Sequence, residues 1–257
     1  MRRLLVIVLA ITILSCSSNK KENAKKIELA DPQFFELRTY YCHPDKLDDL
    51  LTRFDDHTMK LFEKHGMINI GYWVPVDNSD NKLVYLMGYP SLEERNKSWE
   101  AFMNDPEWNR IWEDSKADGP VVDSLVSQFL HYTDYSPKLK VAEGGQTRVF
   151  SHRTYYTNPG KLNDLHARFS NHTIDLFEKH GITNIAYFGM DSSHVEADHV
   201  LTYFITFPDT TARSASWSSF GNDPEWQEVY QKSIEAGRLV ESITDELLIA
   251  TPFSPLK

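Results

Sequence analysis

Polar residues that recur at matching places in two halves of the chain are its candidates for binding chemistry. They are Arg38, Tyr40 and His57 in the first half and Arg153, Tyr155 and His172 in the second. An arginine can hold a carboxylate or another anion, and a histidine can exchange a proton near neutral pH. The chain has no HExxH motif, no phosphate-binding loop and no clear nucleophile–base pair. We therefore expect a small-molecule ligand at these six residues, without a metal ion and without a cofactor.

The candidates lie in a long internal repeat. "RFDDHTMKLFEKHG" at residues 53–66 recurs as "RFSNHTIDLFEKHG" at residues 168–181, and 22 of 36 positions are identical between residues 38–73 and 153–188. Further on, "SWEAFMNDPEW" corresponds to "SWSSFGNDPEW". Such self-similarity indicates two copies of one structural unit. We place the first copy at residues 33–137 and the second at 148–257, with a polar linker at 138–147.

Each copy shows the same predicted order of strands and helices. "FFELRTYY" alternates like a strand, and Pro44 is expected to open a helix that ends at Gly66. Two strands follow, then a helix with a capping box at Ser91, a short helix from "NDPEW", and a last strand "SLVSQFLHY". This βαββαβ order is that of a ferredoxin-like unit. The predicted fold is α+β, with the two units packed sheet to sheet as an intramolecular dimeric α/β barrel.

The first strand sets the environment of the candidate arginines. If its odd-numbered residues face the helices, then Glu36, Arg38 and Tyr40 face the barrel interior. A buried arginine must be paired or must meet an anion, because leaving it bare is costly. Two alternatives follow: an internal ion pair, with Glu36 or Glu246, or the anionic group of a ligand. The second copy has Ser151 in place of Glu36.

The histidines of the repeated phrase have different predicted roles. Helical spacing puts His57 at the flank of the apolar stripe, beside Phe54 and Leu61. It is either a hydrogen-bonded residue at the margin of the core or a pocket residue, and His172 is its twin. His65 lies in the last turn of the helix, where we expect it to bond the free carbonyl groups.

The N-terminus carries a predicted export signal. Arg2 and Arg3 precede an apolar run at residues 4–14, which as a helix is only about 17 Å long, against the 30 Å or so of a membrane core. A basic start, a short apolar run and a small residue are typical of a secretory signal. The stretch "ILSC" resembles the lipobox of bacterial lipoproteins, in which the cysteine is lipidated. The signal would end at Cys16, and residues 17–32 would be a flexible tether.

This signal predicts a lipid-anchored protein of the bacterial cell envelope. Ser17 follows the cysteine without an acidic run, which favours the outer membrane, facing the periplasm. After cleavage, 25 basic and 37 acidic residues remain, a net charge of −12, so nucleic acid is excluded as a partner. Apart from the lipidated Cys16, Cys42 is then the only cysteine, and we expect a buried structural thiol rather than a disulfide.

The repeated phrases resemble a known family. "ELRTYYCHPDKLDDLLTRFDDHTMKLFEKHGMINIGYW" and "YPSLEERNKSW", with "NDPEW" and "FLHYTDYSP", are similar to the NIPSNAP domain over nearly all of both copies. The resemblance implies the dimeric α/β-barrel superfamily and supplies no agreed catalytic residues. Family members tied to protein recruitment and mitophagy imply a docking role as one alternative. Superfamily relatives include cofactor-independent oxygenases and isomerases, which imply an enzyme as another.

The predicted function is therefore that of a membrane-anchored NIPSNAP-domain protein that binds a small molecule in its barrel. The alternatives are a cofactor-independent oxygenase or isomerase and a protein-docking module. Each isolated copy would expose an apolar sheet face, so we expect the two copies to cover each other. A protein partner or self-association of the whole chain stays open.

Overall fold

The structure is a computed structural model that describes residues 32–139 and 148–257. The predicted signal peptide at 1–16 with Cys16, nearly all of the tether at 17–32 and most of the linker at 138–147 lie outside the described residues. The first copy comprises β1 (Phe34–Cys42), α1 (Leu47–Arg53), a π-helical turn (Phe54–Thr58), α2 (Met59–Lys64), β2 (Ile68–Pro75), β3 (Lys82–Tyr89), α3 (Leu92–Met103), α4 (Pro106–Asp114) and β4 (Val122–Tyr132). The second comprises β5 (Val149–Thr157), α5 (Leu162–Arg168), a π-helical turn (Phe169–Thr173), α6 (Ile174–Lys179), β6 (Thr183–Met190), β7 (Val200–Phe207), α7 (Thr210–Gly221), α8 (Pro224–Ser233) and β8 (Val240–Ala250).

The eight strands form one closed antiparallel barrel in the order β1-β3-β2-β8-β5-β7-β6-β4. Each copy contributes a four-stranded sheet, with β1 or β5 between its own last and third strands. Two short ladders join the copies: residues 73–75 pair with 248–250, and residues 130–132 pair with 188–190. The predicted fold, with two ferredoxin-like units in one intramolecular barrel, is confirmed.

The barrel interior is a packed core to which both copies contribute. The Trp73 ring lies 5.5 Å from Phe150 and 5.3 Å from Phe204, measured between ring centroids. Gly71 is required here, because a Cβ atom at this position would come within 2.2 Å of the Trp73 ring. Large aromatic side chains thus occupy the space in which the sequence predicted a ligand.

The faces of β1 are the reverse of those expected from the sequence. Phe35 and Leu37 belong to the interior core, whereas Glu36, Arg38 and Tyr40 face the helices. The prediction was wrong because β1 buries large apolar side chains on both of its faces. The order of apolar and polar residues therefore does not show which face of β1 points into the barrel.

The second copy shows the same reversal. Arg153 and Tyr155 also face the helices, where the Arg153 guanidinium lies 4.7 Å from the centroid of the Trp217 ring. In the first copy the guanidinium of Arg38 lies 4.4 Å from the ring of Trp99. In both copies the arginine is therefore sandwiched between the sheet and the helical layer.

The helix of the repeated phrase contains a π-helical turn in both copies. It begins at Leu47 rather than at Pro44, and Gly66 ends it with φ of +78°, as expected for a glycine after a helix. The Thr58 hydroxyl donates to the backbone carbonyl of Arg53 at 3.0 Å, a partner five residues back. The wider turn therefore brings Arg53 and Thr58 to the same buried face. Such turns are frequent at functional sites.

The C-terminal segment of each copy packs on the other copy. The backbone N–H of Tyr187 donates to Ser136 Oγ at 2.8 Å, and that of Tyr72 donates to Ser254 Oγ at 2.9 Å. This reciprocal exchange adds to the two inter-copy strand pairings. Among the helices of residues 32–139 and 148–257, none has the length and apolar character that crossing a membrane requires.

Candidate functional site

The candidate Arg38 belongs to a buried charge cluster in the first copy. The carboxylate of Glu36, fully buried, accepts hydrogen bonds from Arg38 at 2.6 Å, from Arg95 at 2.7 and 2.8 Å and from the Ser127 hydroxyl at 2.6 Å. Burial by itself would raise the pKa of Glu36, but the bonds from Arg95 and Ser127 and the charge of Arg38 lower it to about 2. Of the two alternatives for Arg38, the structure contains the ion pair with Glu36.

Arg153 in the second copy is also paired, with a different strand supplying the acid. Asp245 of β8 accepts hydrogen bonds from Arg153, from Ser151 and, at 2.6 Å, from Arg213. Glu246, the other expected partner, instead pairs with Lys82 of the first copy at 2.6 Å. The acid therefore comes from β1 in one copy and from β8 in the other.

The two candidate tyrosines are hydrogen-bonded to these arginines. The guanidinium of Arg38 donates to the Tyr40 hydroxyl at 3.2 Å, and that of Arg153 donates to the Tyr155 hydroxyl at 3.4 Å. The structure thus brings each predicted arginine and tyrosine together, between the sheet and the helices. A role of these four residues in ligand binding stays a prediction.

Two other buried arginines have no carboxylate partner among residues 32–139 and 148–257. Arg53 and Arg168, 8% and 7% exposed, are equivalent residues at the ends of α1 and α5. In the described part of the chain no carboxylate lies within 4.0 Å of either guanidinium, and both Nε atoms lack a hydrogen-bond partner. Each donates only to a serine, Ser115 at 2.9 Å or Ser233 at 3.2 Å. Burial lowers the pKa of both arginines.

Local structure explains why these arginines are buried. Each is the last residue before a π-helical turn, followed by an inward-facing phenylalanine. The guanidinium of Arg53 lies 5.5 Å from the ring of Trp108, and that of Arg168 lies 5.4 Å from the ring of Trp226. Aromatic faces attract the cations but do not neutralise them.

A cavity opens over each unpaired arginine between two helices. In the first copy it measures about 380 Å³, lies between α1 and α4 and includes Arg53 and His57. In the second copy it measures about 600 Å³ and includes Arg168 and His172. Both histidines are exposed, so the core-margin alternative is wrong, because the π-helical turn changes the rotation of the helix. His57 and His172 line these two inter-helix cavities, whose linings include none of the other four candidates.

In the second copy another cavity reaches Arg168 from the sheet side. This Arg168 cavity measures about 400 Å³. It is lined by Tyr155, Arg168, Trp226, Tyr230, Ile234, Arg238, Leu239, Val240, Glu241, Ser242 and Ile243. Its walls are mainly apolar, with one buried cation at Arg168 and, at the exposed edge, the cation of Arg238 and the carboxylate of Glu241. An apolar pocket with a few convergent polar groups is the usual form of a small-molecule site.

The histidines that close the repeated phrases have a structural role. His65 Nε2 lies 2.7 Å from the Asp105 carboxylate rather than bonding the expected carbonyl groups, and His180 Nε2 lies 2.6 Å from that of Asp223. Asp105 also caps α4 through the backbone N–H of Glu107. The phrase "EKHG" therefore recurs together with "NDPEW" because the two hold α2 to α4, and α6 to α8.

The sequence prediction missed Arg53 and Arg168. Both arginines open the repeated phrases as "RF", followed by threonine at the fifth position after the arginine. In the sequence, the five-residue spacing of arginine and threonine is the sign of the π-helical turn. A search for the 3.6-residue period of a regular helix does not detect this spacing.

The family assignment follows from comparison with known proteins. The NIPSNAP family model matches residues 35–137 and 150–255, most of both copies. The chain belongs to the NIPSNAP family. It is 25% identical over 228 residues to mouse (Mus musculus) protein NipSnap homolog 3B, covering 87% of this chain and 86% of that protein.

Two solved structures with the same barrel are similar to this NIPSNAP chain. A putative monooxygenase from Fusobacterium nucleatum has a TM-score of 0.54 at 10% identity, over 85% of this chain and 92% of that chain. A putative monooxygenase from Lactobacillus acidophilus has a TM-score of 0.53 at 10% identity, over 87% and 98%. This likeness concerns the fold alone, and it agrees with the dimeric α/β barrel described above. Within the described ranges, no group of three metal-binding side chains could hold a metal ion.

Proposed function

We propose that this NIPSNAP chain binds a small molecule that has an apolar body and one anionic group, in the Arg168 cavity of the second copy. The observation that carries the proposal is the guanidinium of Arg168, which is buried beside the cavity with no carboxylate of the described residues within 4.0 Å. A buried charge is costly unless it is paired. An anion from a ligand would supply the missing partner.

The electrostatics of Arg168 support an anion at this place. Burial lowers the pKa of Arg168, and the groups that counteract this effect are tyrosines rather than acids. A protonated phenol is a poorer partner for a guanidinium than a carboxylate is, because it carries no full negative charge. At the exposed edge of the cavity Arg238 adds a cation and Glu241 adds a carboxylate, so the buried Arg168 is the charge that would hold the anion.

The walls of the cavity define the rest of the ligand. Trp226, Leu239 and Val240 offer an aromatic ring and two branched aliphatic side chains. Such walls favour an aromatic or aliphatic body of modest size, because burying apolar surface is the main source of affinity in such sites. We therefore propose an organic carboxylate as the ligand class.

The first copy differs at this place. Lys116 and Pro120 stand where the second copy has Ile234 and Arg238. The ammonium group of Lys116 lies 3.2 Å from the ring centroid of Trp112 and covers that ring. This difference supports the second copy as the binding copy.

The test uses phenylacetate and octanoate, each with its neutral amide as the matched probe. We expect the acids, and not the amides, to raise the melting temperature of the full chain in a concentration-dependent way. Arg168→Met should weaken binding of the acids by about tenfold or more, since a hydrogen bond to a charged group contributes about 1.5–3 kcal/mol.

Arg53→Met is the control, because it removes the equivalent arginine from the first copy. It should leave binding of the acids unchanged. Equal binding of acids and amides, or full binding by the Arg168→Met variant, would contradict the proposal.

We further propose that the protein is held at the envelope membrane by a lipid on Cys16, facing the periplasm from the outer membrane. The lipobox-like "ILSC" and the polar stretch after it support this location. Cys16→Ser should release the protein from the membrane fraction or block its processing. Retention of a processed Cys16→Ser protein in the membrane after a carbonate wash would contradict the lipid anchor.

A further inference from the structure

A separate cavity lies where the two copies meet. The inter-copy cavity measures about 520 Å³. The end of β4 and the segment after it, residues 131–135, form one side. Residues 163–170 around the end of α5, with residues 189–190 of β6, form the other. Because both copies supply its walls, the cavity exists only in the assembled barrel.

A tyrosine–histidine pair across the copies lines this cavity. The hydroxyl of Tyr135 lies 2.7 Å from His166 Nδ1. Burial lowers the pKa of His166 and raises that of Tyr135, so the imidazole is neutral and the proton stays on the phenol oxygen. Nδ1 therefore accepts the bond from Tyr135, and Nε2 carries the hydrogen. Within the described ranges, Nε2 has no hydrogen-bond partner.

The equivalent place in the first barrel half has no such pair. Leu51 stands where the second copy has His166, and Phe253 is the counterpart of Tyr135. Phe253 packs 5.6 Å from the ring of Tyr72, just as Tyr135 packs 5.7 Å from that of Tyr187. Packing thus needs only the rings, and the hydroxyl and imidazole are additional.

A glycine keeps the second-copy side open. Gly189 of β6 takes the place of Val74 in β2. No atom lies within 4 Å of the position that a Cβ atom at Gly189 would occupy. The side chain present in the first copy is therefore missing where the polar pair stands.

The remaining lining defines the chemistry of an occupant. Thr133, Asn163 and Ser170 supply hydroxyl and amide groups, and Asp134 supplies a carboxylate. Lysine and arginine are absent from the described residues that line the cavity. A ligand with hydroxyl groups can both donate to Asp134 and accept from a ring N–H. An anionic ligand would meet the carboxylate of Asp134 and no lysine or arginine among the lining residues, so a neutral ligand with hydroxyl groups suits this lining better.

We propose that the inter-copy cavity binds a neutral polyhydroxylated molecule of the sugar class, with the Nε2–H of His166 donating to one of its hydroxyl oxygens. Tyr135 is a positioning residue, since its bond to Nδ1 fixes the tautomer that donates. The site uses none of the residues of the Arg168 cavity.

The test measures saturation-transfer NMR signals from glucose, maltose and N-acetylglucosamine with the full chain. We expect at least one of the three to bind at millimolar concentrations. The double variant Tyr135→Phe with His166→Leu introduces the residues found in the first copy and should reduce the signal at least fivefold. Gly189→Val should do the same by filling the open space.

Two readouts keep the result interpretable. The melting temperature of each variant reports folding, and binding of phenylacetate at the Arg168 cavity should be unchanged, so the two sites fail or succeed separately. Absence of binding of all three sugars to the unaltered chain would overturn the proposal. Undiminished binding by the folded double variant would overturn it too.

Discussion

Both copies pair an arginine with a carboxylate, but the carboxylate and a neighbouring serine have exchanged strands between the copies. In the first copy the acid is Glu36 on β1, and Ser127 on β4 lies opposite Arg38 in the strand register. In the second copy the serine is on β5, as Ser151, and the acid is on β8, as Asp245, opposite Arg153. Each arginine thus keeps one carboxylate and one serine as neighbours, although the two types have changed strands.

The exchange shows that each arginine keeps one carboxylate as its counter-charge, whereas the strand that carries the carboxylate differs between the copies. The carboxylates differ in burial: the side chain of Glu36 is 0% exposed and that of Asp245 is 22% exposed. Buried and exposed ion pairs differ greatly in the cost of breaking them. Removing the acid from each copy in turn therefore measures how burial changes the cost of losing it.

The largest expected effect is the loss of the buried acid. Glu36→Gln leaves Arg38 and Arg95 without a counter-charge and should lower the free energy of unfolding by about 3–5 kcal/mol. Asp245→Asn, in the more exposed cluster, should cost about 1 kcal/mol. Urea denaturation of both variants gives the two values. Equal losses would show that burial does not distinguish the clusters.

Low pH should remove the contribution of Glu36 to the free energy of unfolding. Its folded-state pKa of about 2 lies below the ordinary value of 4.5, so its charged form stabilises the fold above pH 4.5. This contribution, about 3 kcal/mol from a shift of that size, declines as the pH falls from 4.5 through about 2. The stability difference between the unaltered chain and Glu36→Gln should shrink over that window. A difference that stays constant with pH would assign the loss to packing.

Exchanging the residues of the first copy should rebuild the arrangement of the second. Glu36→Ser alone removes the acid, and adding Ser127→Asp returns a carboxylate opposite Arg38. We expect the double variant to be more stable than Glu36→Ser by about 2 kcal/mol, a coupling within the usual range for residues in contact. A double-mutant cycle in urea measures it. Additive losses would mean that the register of β1 and β4 does not support the exchanged pair.

The same comparison shows how far the sequence predicts this structure. The order of elements and the closed barrel follow from the repeat and from local signals such as Ser91, which accepts the hydrogen bond from the Glu94 N–H as a helix cap. The facing of β1 did not follow, because Phe34 and Phe35 are adjacent and both are buried. The contacts that hold this cluster on the helix side come from a distant helix: Arg95 donates to Glu36, and the ring of Trp99 lies 4.4 Å from the guanidinium of Arg38.

The unpaired arginines were missed for a local reason. At about 100° per residue, a regular helix places Arg53 and Thr58 about 140° apart. The π-helical turn brings both to the buried face. Composition and period do not reveal an added residue in a turn, so the sequence left His57 open between the core margin and a pocket and indicated no role for Arg53.

The smallest expected effect comes from the arginine that has no acid. Arg53→Met removes a buried cation without stranding a carboxylate, and the methionine side chain can keep contact with Trp108. Ser115, which accepts from Arg53, also donates to the backbone carbonyl of Trp112 at 2.8 Å and stays satisfied. We therefore expect a change within about 1 kcal/mol, toward higher stability.

Arg38→Met should instead cost about 2 kcal/mol, because it deprives Glu36 of a charged hydrogen bond. Opposite signs in paired urea titrations would distinguish an arginine that stabilises the fold through a carboxylate from one that is buried without a counter-charge. A loss from Arg53→Met as large as that from Arg38→Met would assign Arg53 to the fold and remove the basis for a ligand anion at its twin, Arg168.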